Sequence, residues 1–201
     1  MDSYYPPQEA NTVFKSYTIT TSNNLSIIST PILEDAQEGY PISKKFQFKA
    51  SGGQLPYEWK IINASLPNGI ILNTSTGQLS GIPQTKGMQN FNIQLTDESG
   101  KKEYQQCSWY IIPKLKISTE SLPDAPKSKR YQYLLQAKGG CQPYYWQLTG
   151  RLPAGLKLDR DKGIISGTPV GSRLRWNEPP FTLTITDRSP HPQTESKVFI
   201  V

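Results

Sequence analysis

The chain has 201 residues, of which 35% are hydrophobic, with 17 Pro and 15 Gly. That mix is low in apolar residues for a helical bundle or a large parallel sheet, and the regular recurrence of Trp, Tyr, Phe and Ile argues against a disordered chain. Lys and Arg outnumber Asp and Glu by 22 to 16, a net charge of +6, yet the densest basic clusters are only Lys127-Ser-Lys-Arg130 and Arg173-Leu-Arg175, so no nucleic-acid partner is expected.

Residues 1–24 form a polar, Pro-containing lead followed by a run of β-formers from Val13 to Thr21, read as a linker or an added strand. No stretch reaches the length of a membrane span, and residues 1–20 lack the charged start and apolar centre of a secretory leader. A cytosolic chain or a piece of a longer protein would fit, and the second is the expectation.

Residues 25–113 then read as short alternating strands divided by specified turns. Phe46, Phe48 and Ala50 share one face of a strand, and Tyr57, Trp59 and Ile61 share one face of the next, since successive strand residues point to opposite sides. Leu66-Pro-Asn-Gly69 is a turn and Asn73-Thr-Ser-Thr-Gly77 a hairpin loop, because Pro presets φ and Gly accepts positive φ. Phe91, Ile93 and Leu95 face inward on a later strand, which ends in Thr96-Asp97, and Cys107–Ile112 forms a further strand.

Residues 114–201 repeat this order. Tyr133, Leu135 and Ala137 match the first strand, Tyr144, Trp146 and Leu148 the second, Leu152-Pro-Ala-Gly155 the turn, Phe181, Leu183 and Ile185 the later strand, and Asp187 matches Asp97. The second copy carries a longer loop from Val170 to Pro180. Two units of this size, with turn signals at short regular intervals, predict an all-β chain of two tandem immunoglobulin-like β-sandwiches. The short Pro113-containing link predicts limited bending between them.

The run from Gly139 to Pro169, GGCQPYYWQLTGRLPAGLKLDRDKGIISGTP, with its weaker copy from Gly52 to Pro83, resembles the immunoglobulin-like domain family related to the dystroglycan-type cadherin-like domains. The residues that carry the resemblance are Gly139, Gly140, Pro143, Tyr144, Trp146, Leu152, Pro153, Gly155, Leu156, Leu158, Gly163, Ile165, Ser166, Gly167, Thr168, Pro169 and Asp187. The first copy departs only at Ile70, Leu79 and Ile82. The resemblance covers all but the first 24 residues. It implies a module, common in tandem on bacterial surface and secreted proteins, that serves as a spacer or adhesion-type domain, with a protein or glycan partner at the cell surface. A glycan-binding module and an accessory domain of a larger secreted enzyme are the alternatives, and one fold of this kind hosts many functions.

Most distinctive residues have a structural explanation. Trp59 and Trp146 alternate inward and are core; Asp97 and Asp187 close turns by bonding to backbone. Asp159-Arg-Asp-Lys-Gly163 is a hairpin turn, because a calcium loop needs more oxygens. The candidates for ligand contact are Tyr145, opposite in direction to Trp146, Trp176 in the long loop, and His191 between two prolines. Cadherin-type modules hold calcium between domains, so the resemblance marks Asp97, Glu98, Glu120 and Asp124 as candidate ligands at the junction, against Lys114 and Lys116 in the same linker; otherwise no cofactor is expected. Cys107 and Cys141 occupy non-equivalent positions, which excludes a bridge within either repeat and leaves one between repeats open. The sole His lies in a Pro-flanked loop with no paired nucleophile, so no enzymatic activity is expected. A monomer is expected.

Overall fold

The computed structural model describes residues 24–43, 46–125, 128–170 and 180–199. All regular structure among them is β. The first module holds β1 (Ser26–Ile27), β2 (Ala36–Gln37), β3 (Ala50–Ser51), β4 (Glu58–Ile62), β5 (Ile70–Leu72), β6 (Leu79–Gly81), β7 (Gly87–Thr96) and β8 (Lys102–Ile112). The second holds β9 (Lys116–Ile117), β10 (Tyr131–Leu134), β11 (Ala137–Lys138), β12 (Tyr145–Thr149), β13 (Leu156–Asp159), β14 (Ile164–Gly167), β15 (Phe181–Thr186) and β16 (Thr194–Phe199).

In the first module one layer is the sheet β2-β8-β7-β4, and β1-β3 with the hairpin β5-β6 form the other. The second module repeats the layers as β12-β15-β16 against β10-β14-β13 with β11-β9. Each module buries its own core. Trp59, Phe91, Ile93, Leu95, Trp109 and Ile111 lie in one cluster, and Trp146, Ile165, Phe181, Leu183, Ile185 and Phe199 in the other. The first cluster ends at Ile111 and the second begins at Leu115, so the cores are separate on either side of the short link.

The inward alternation of Phe91, Ile93 and Leu95 places all three at 2% exposure or less, because one face of the ladder is sealed by the opposite layer. Phe46 and Phe48 are buried as their alternation predicts, but the expected continuous strand from Phe46 to Ala50 is broken. Around Gln47 the chain bridges to Gln78, while Ala50 pairs with Ile27. The backbone thus changes partner within a few residues, which interrupts the ladder while leaving the side-chain direction intact.

The recurring Gly-Gly-x-x-Pro-Tyr segments have one job in both copies. Tyr144 Oη donates to the Gly139 carbonyl at 2.6 Å, and Tyr57 Oη donates to Gly52 in the same way. The prolines that precede these tyrosines, Pro56 and Pro143, both follow cis peptide bonds. The hairpin loops also coincide. Asn73 Oδ1 accepts the N–H groups of Ser75 and Thr76, and Asp159 Oδ1 those of Asp161 and Lys162, so Asp159 closes a turn.

Candidate functional site at the module junction

The two modules meet where the end of the β2–β8 pair in the first faces the turn after β15 in the second. Ala36 and Gln37 run parallel to Ile111 and Ile112, which places Gln37 beside the link. Its side chain is 3% exposed and crosses to the second module. Gln37 Nε2 donates to Ser189 Oγ and to the His191 carbonyl, both at 2.7 Å, and Gln37 Oε1 accepts the His191 N–H at 3.1 Å. One amide therefore satisfies both backbone groups of His191, as a neighbouring strand would.

A second glutamine, Gln193, treats the link similarly. Its Oε1 accepts the Leu115 N–H at 2.9 Å and its Nε2 donates to the Pro113 carbonyl at 3.2 Å. The Pro113 carbonyl also accepts the Gly140 N–H at 2.9 Å, and the Lys114 N–H donates to Glu38 Oε2 at 3.0 Å.

Asp187 holds the turn that carries these groups. Its Oδ1 accepts the Gln193 N–H at 2.6 Å and the Ser189 hydroxyl at 2.8 Å, and its Oδ2 accepts the Cys141 N–H at 2.9 Å. Asp97 builds the same cap in the first module, accepting from Ser99 Oγ at 2.7 Å, Lys101 N–H at 2.9 Å and Gln54 N–H at 3.0 Å. The Ser99 hydroxyl, with these N–H groups, holds the Asp97 carboxyl below its ordinary value, against an opposing push from burial. The second-module turn runs from Asp187 to Gln193 where the first runs from Asp97 to Lys101. The extra length carries Pro190 and His191 out to Gln37.

Beside the clamp lies a cleft of about 330 Å³, lined by Glu34, Asp35, Tyr40 and Ser43 of the first module and by Pro190 and His191 of the second. Burial, then Asp187 and Asp35, push the Cys141 thiol up, so carboxylates of both modules act on this one group. Burial also pushes up the Cys107 thiol. Both cysteines are free, which closes the option of a bridge between repeats.

The carboxylates proposed for a junctional calcium site do not come together. β7 starts beside Ile111, at the link, and ends at Thr96 opposite Lys102. Asp97 and Glu98 follow it, so they lie at the other end of the first module, about 30 Å along the strand. Glu120 and Asp124 are exposed residues of the second module. They lie on the segment that leads from the link toward Ser128, whose N–H donates to the Pro169 carbonyl. Among the described residues no group of three or more His, Cys, Asp or Glu side chains is placed to hold a metal.

Of the ligand candidates, Tyr145 is 41% exposed on the outward side of β12, with Arg160 Nη1 3.4 Å from its hydroxyl. His191 is exposed and borders the junction cleft. Trp176 lies outside the described residues. Sequence reasoning passed over Gln37, Ser189 and Gln193. One signal was present: Asp35-Ala-Gln37 parallels Asp124-Ala-Pro126, so Gln37 is a position where the copies differ next to matching neighbours.

The family model described as "Putative Ig domain" matches residues 5–111 and 114–201. Among solved structures, the human desmocollin-1 ectodomain aligns at 13% identity with a TM-score of 0.50, covering 91% of this chain and 37% of that one. The protocadherin gamma B4 extracellular domain aligns at 16% identity and 0.47, covering 91% and 33%. Mouse cadherin-23 EC22-24 aligns at 16% identity and 0.42, covering 88% and 63%. The chain thus spans less than two thirds of each of these structures, and the likeness is one of fold. No curated protein matches the chain in sequence. With two matched regions that together span nearly the whole chain, two separate cores and one turn-and-core pattern built twice, the chain belongs to the Putative Ig domain family as a tandem pair of its modules.

Proposed function

We propose that the chain is a non-catalytic interaction and spacer segment of a larger secreted or cell-surface protein of bacterial type, with modules at residues 25–113 and 114–201 and residues 1–24 as a linker or added strand. Its two modules are held at a fixed angle by hydrogen bonds in place of a bound cation. The observation that carries this reading is the buried Gln37 amide, which reaches across the junction to three groups of the Ser189–His191 turn. A buried amide with all its bonds made favours one arrangement, because a shifted module leaves donors and acceptors unpaired at a cost of about 1–3 kcal/mol each. The Gln193 bonds to the link act in the same direction. A spacer needs such a joint, since a flexible one shortens the mean reach.

Spin labels placed on exposed positions of the two modules test the reading by their distance distribution. A single narrow distance is expected for the full chain, unchanged by chelator or added calcium and broadened in Gln37→Ala. A broad distribution in the unsubstituted protein would overturn the fixed joint. Narrowing on addition of calcium would overturn its independence of metal.

A further inference from the structure

We propose that the outward face of the β7–β8 ladder binds a neutral polysaccharide. This goes beyond the spacer reading and does not depend on it. Along that face Gln94 stands opposite Tyr104, Asn92 opposite Gln106, Asn90 opposite Ser108 and Met88 opposite Tyr110. Their neighbours Phe91, Ile93, Leu95, Cys107, Trp109 and Ile111 point the other way into the core, so the direction of the eight is fixed by burial of the rest. Tyr104 is 55% exposed and Tyr110 39%.

No residue in these four rows is charged. Charge flanks the eight: Lys60 of β4 stands beside Gln94, and the next row holds Glu58, Thr96 and Lys102 side by side. The chain as a whole is 19% charged, and charged side chains concentrate at the surface, so eight neutral outward positions together are a departure from the rest of the exterior. The second module shows the same departure with different residues. On β12, β15 and β16 the aligned rows are Tyr145–Thr186–Thr194, Gln147–Thr184–Ser196 and Thr149–Thr182–Val198, again without a charge.

The chemistry of the face selects its ligand. An amide carries both donors and an acceptor, which suits sugar hydroxyls that donate and accept. Ser108 Oγ already donates to Asn90 Oδ1 at 2.8 Å and Gln94 Nε2 to Thr96 Oγ1 at 3.0 Å, while the central pair Asn92 and Gln106 has no side-chain hydrogen bond among the described residues. Tyrosine offers a rigid, half-apolar ring at little entropic cost, suited to the C–H face of a pyranose. Tyr104 and Tyr110 are six residues apart, about 20 Å along the strand, a span for several sugar units in line. A protein partner would want apolar anchors in pockets; among the eight only Met88 is aliphatic, and Ile62 beside Asn92 and Ile32 beside Ser108 lie at the flanks.

The test is native affinity electrophoresis of the full chain through gels containing xyloglucan, galactomannan, laminarin or hydroxyethylcellulose, with polygalacturonate and dextran sulfate as anionic controls, followed by calorimetric titration of any polysaccharide that retards it. Retardation by at least one neutral polysaccharide is expected, surviving high salt, with affinity reduced about tenfold or more in Tyr104→Ala and in Gln106→Glu while their melting curves stay near that of the parent. Migration unaltered by every neutral polysaccharide would overturn the proposal. So would retardation by the polyanions alone that salt abolishes, or neutral binding that both substitutions leave intact.

Discussion

Gln37 grips His191 by both ends of one amide, its Oε1 taking the His191 N–H at 3.1 Å and its Nε2 giving to the His191 carbonyl at 2.7 Å. The contact resembles one step of a β-ladder made by a side chain, and it spans 154 residues of sequence. Its strength rests on the rigidity of the turn that presents His191, and that rigidity comes from Asp187.

Asp187→Ala is therefore expected to damage both the second module and the junction. The side chain is 3% exposed, and its loss leaves the N–H groups of Cys141 and Gln193 without their acceptor. The expected destabilisation is on the order of 3 kcal/mol, read as a lower melting temperature of the second module, with a broadened inter-module distance. An intact distance distribution in a variant that has lost this stability would show that the turn and the joint are independent.

The Trp at the centre of each copy is a packing element, and its partner is the glycine that ends the hairpin loop. Gly163 has φ near 66°, and an added Cβ would lie 2.5 Å from Trp146 Nε1. Gly163→Ala is expected to cost at least about 1–2 kcal/mol from the left-handed backbone alone, plus the displacement of the indole. Trp146→Ala should cost about 3–5 kcal/mol. Chemical denaturation of the two variants checks the order, and a Trp146→Ala protein as stable as its parent would remove the tryptophan from the core.

Acid should weaken the first module through Asp97. Its folded value lies below the ordinary 3.8, so the stability it contributes is present above that value and is lost as pH falls through the lower, folded one. The melting temperature of the first module is expected to drop below about pH 4 in the unsubstituted chain and to drop less steeply in Asp97→Asn. Parallel pH profiles for the two proteins would contradict this.

Thiol labelling should separate the two cysteines. Cys107 is fully buried and should react only on unfolding, since the thiolate is the reactive species and burial disfavours it. Cys141 is partly exposed, with its thiol pushed up by burial and then by Asp187 and Asp35. It is expected to react in the native state more slowly than a free thiol at the same pH, and faster in Asp35→Asn. Because Asp35 belongs to the other module, loss of the junction in Gln37→Ala should also raise the rate.

Much of the fold was legible in the sequence, for a local reason. The alternation of Phe91, Ile93 and Leu95 shows which face is buried, because period-two patterning needs no knowledge of the partner strand. Leu66-Pro-Asn-Gly69 and Asn73–Gly77 mark turns because φ preferences act within a few residues. The repeat then makes each assignment twice, once around Trp59 and once around Trp146. The broken pairing between Phe46 and Ala50 was not legible, since a change of partner depends on where β1 and the β5–β6 hairpin lie in space.

The junction was the part that the sequence left undetermined. The resemblance to calcium-bridged modules directed attention to Asp97 and Glu98, which follow the end of β7 and so sit far from the link. The sequence alone determined two β-sandwiches, their cores, their turns and the shortness of the link between them, because these follow from periodicity and backbone preference. Only the tertiary structure decided that Asp187, and not its twin Asp97, stands at the joint, and that Gln37 closes it. Which end of a module meets its neighbour is set by strand direction and layer order, and no local pattern encodes the meeting of residues 154 positions apart.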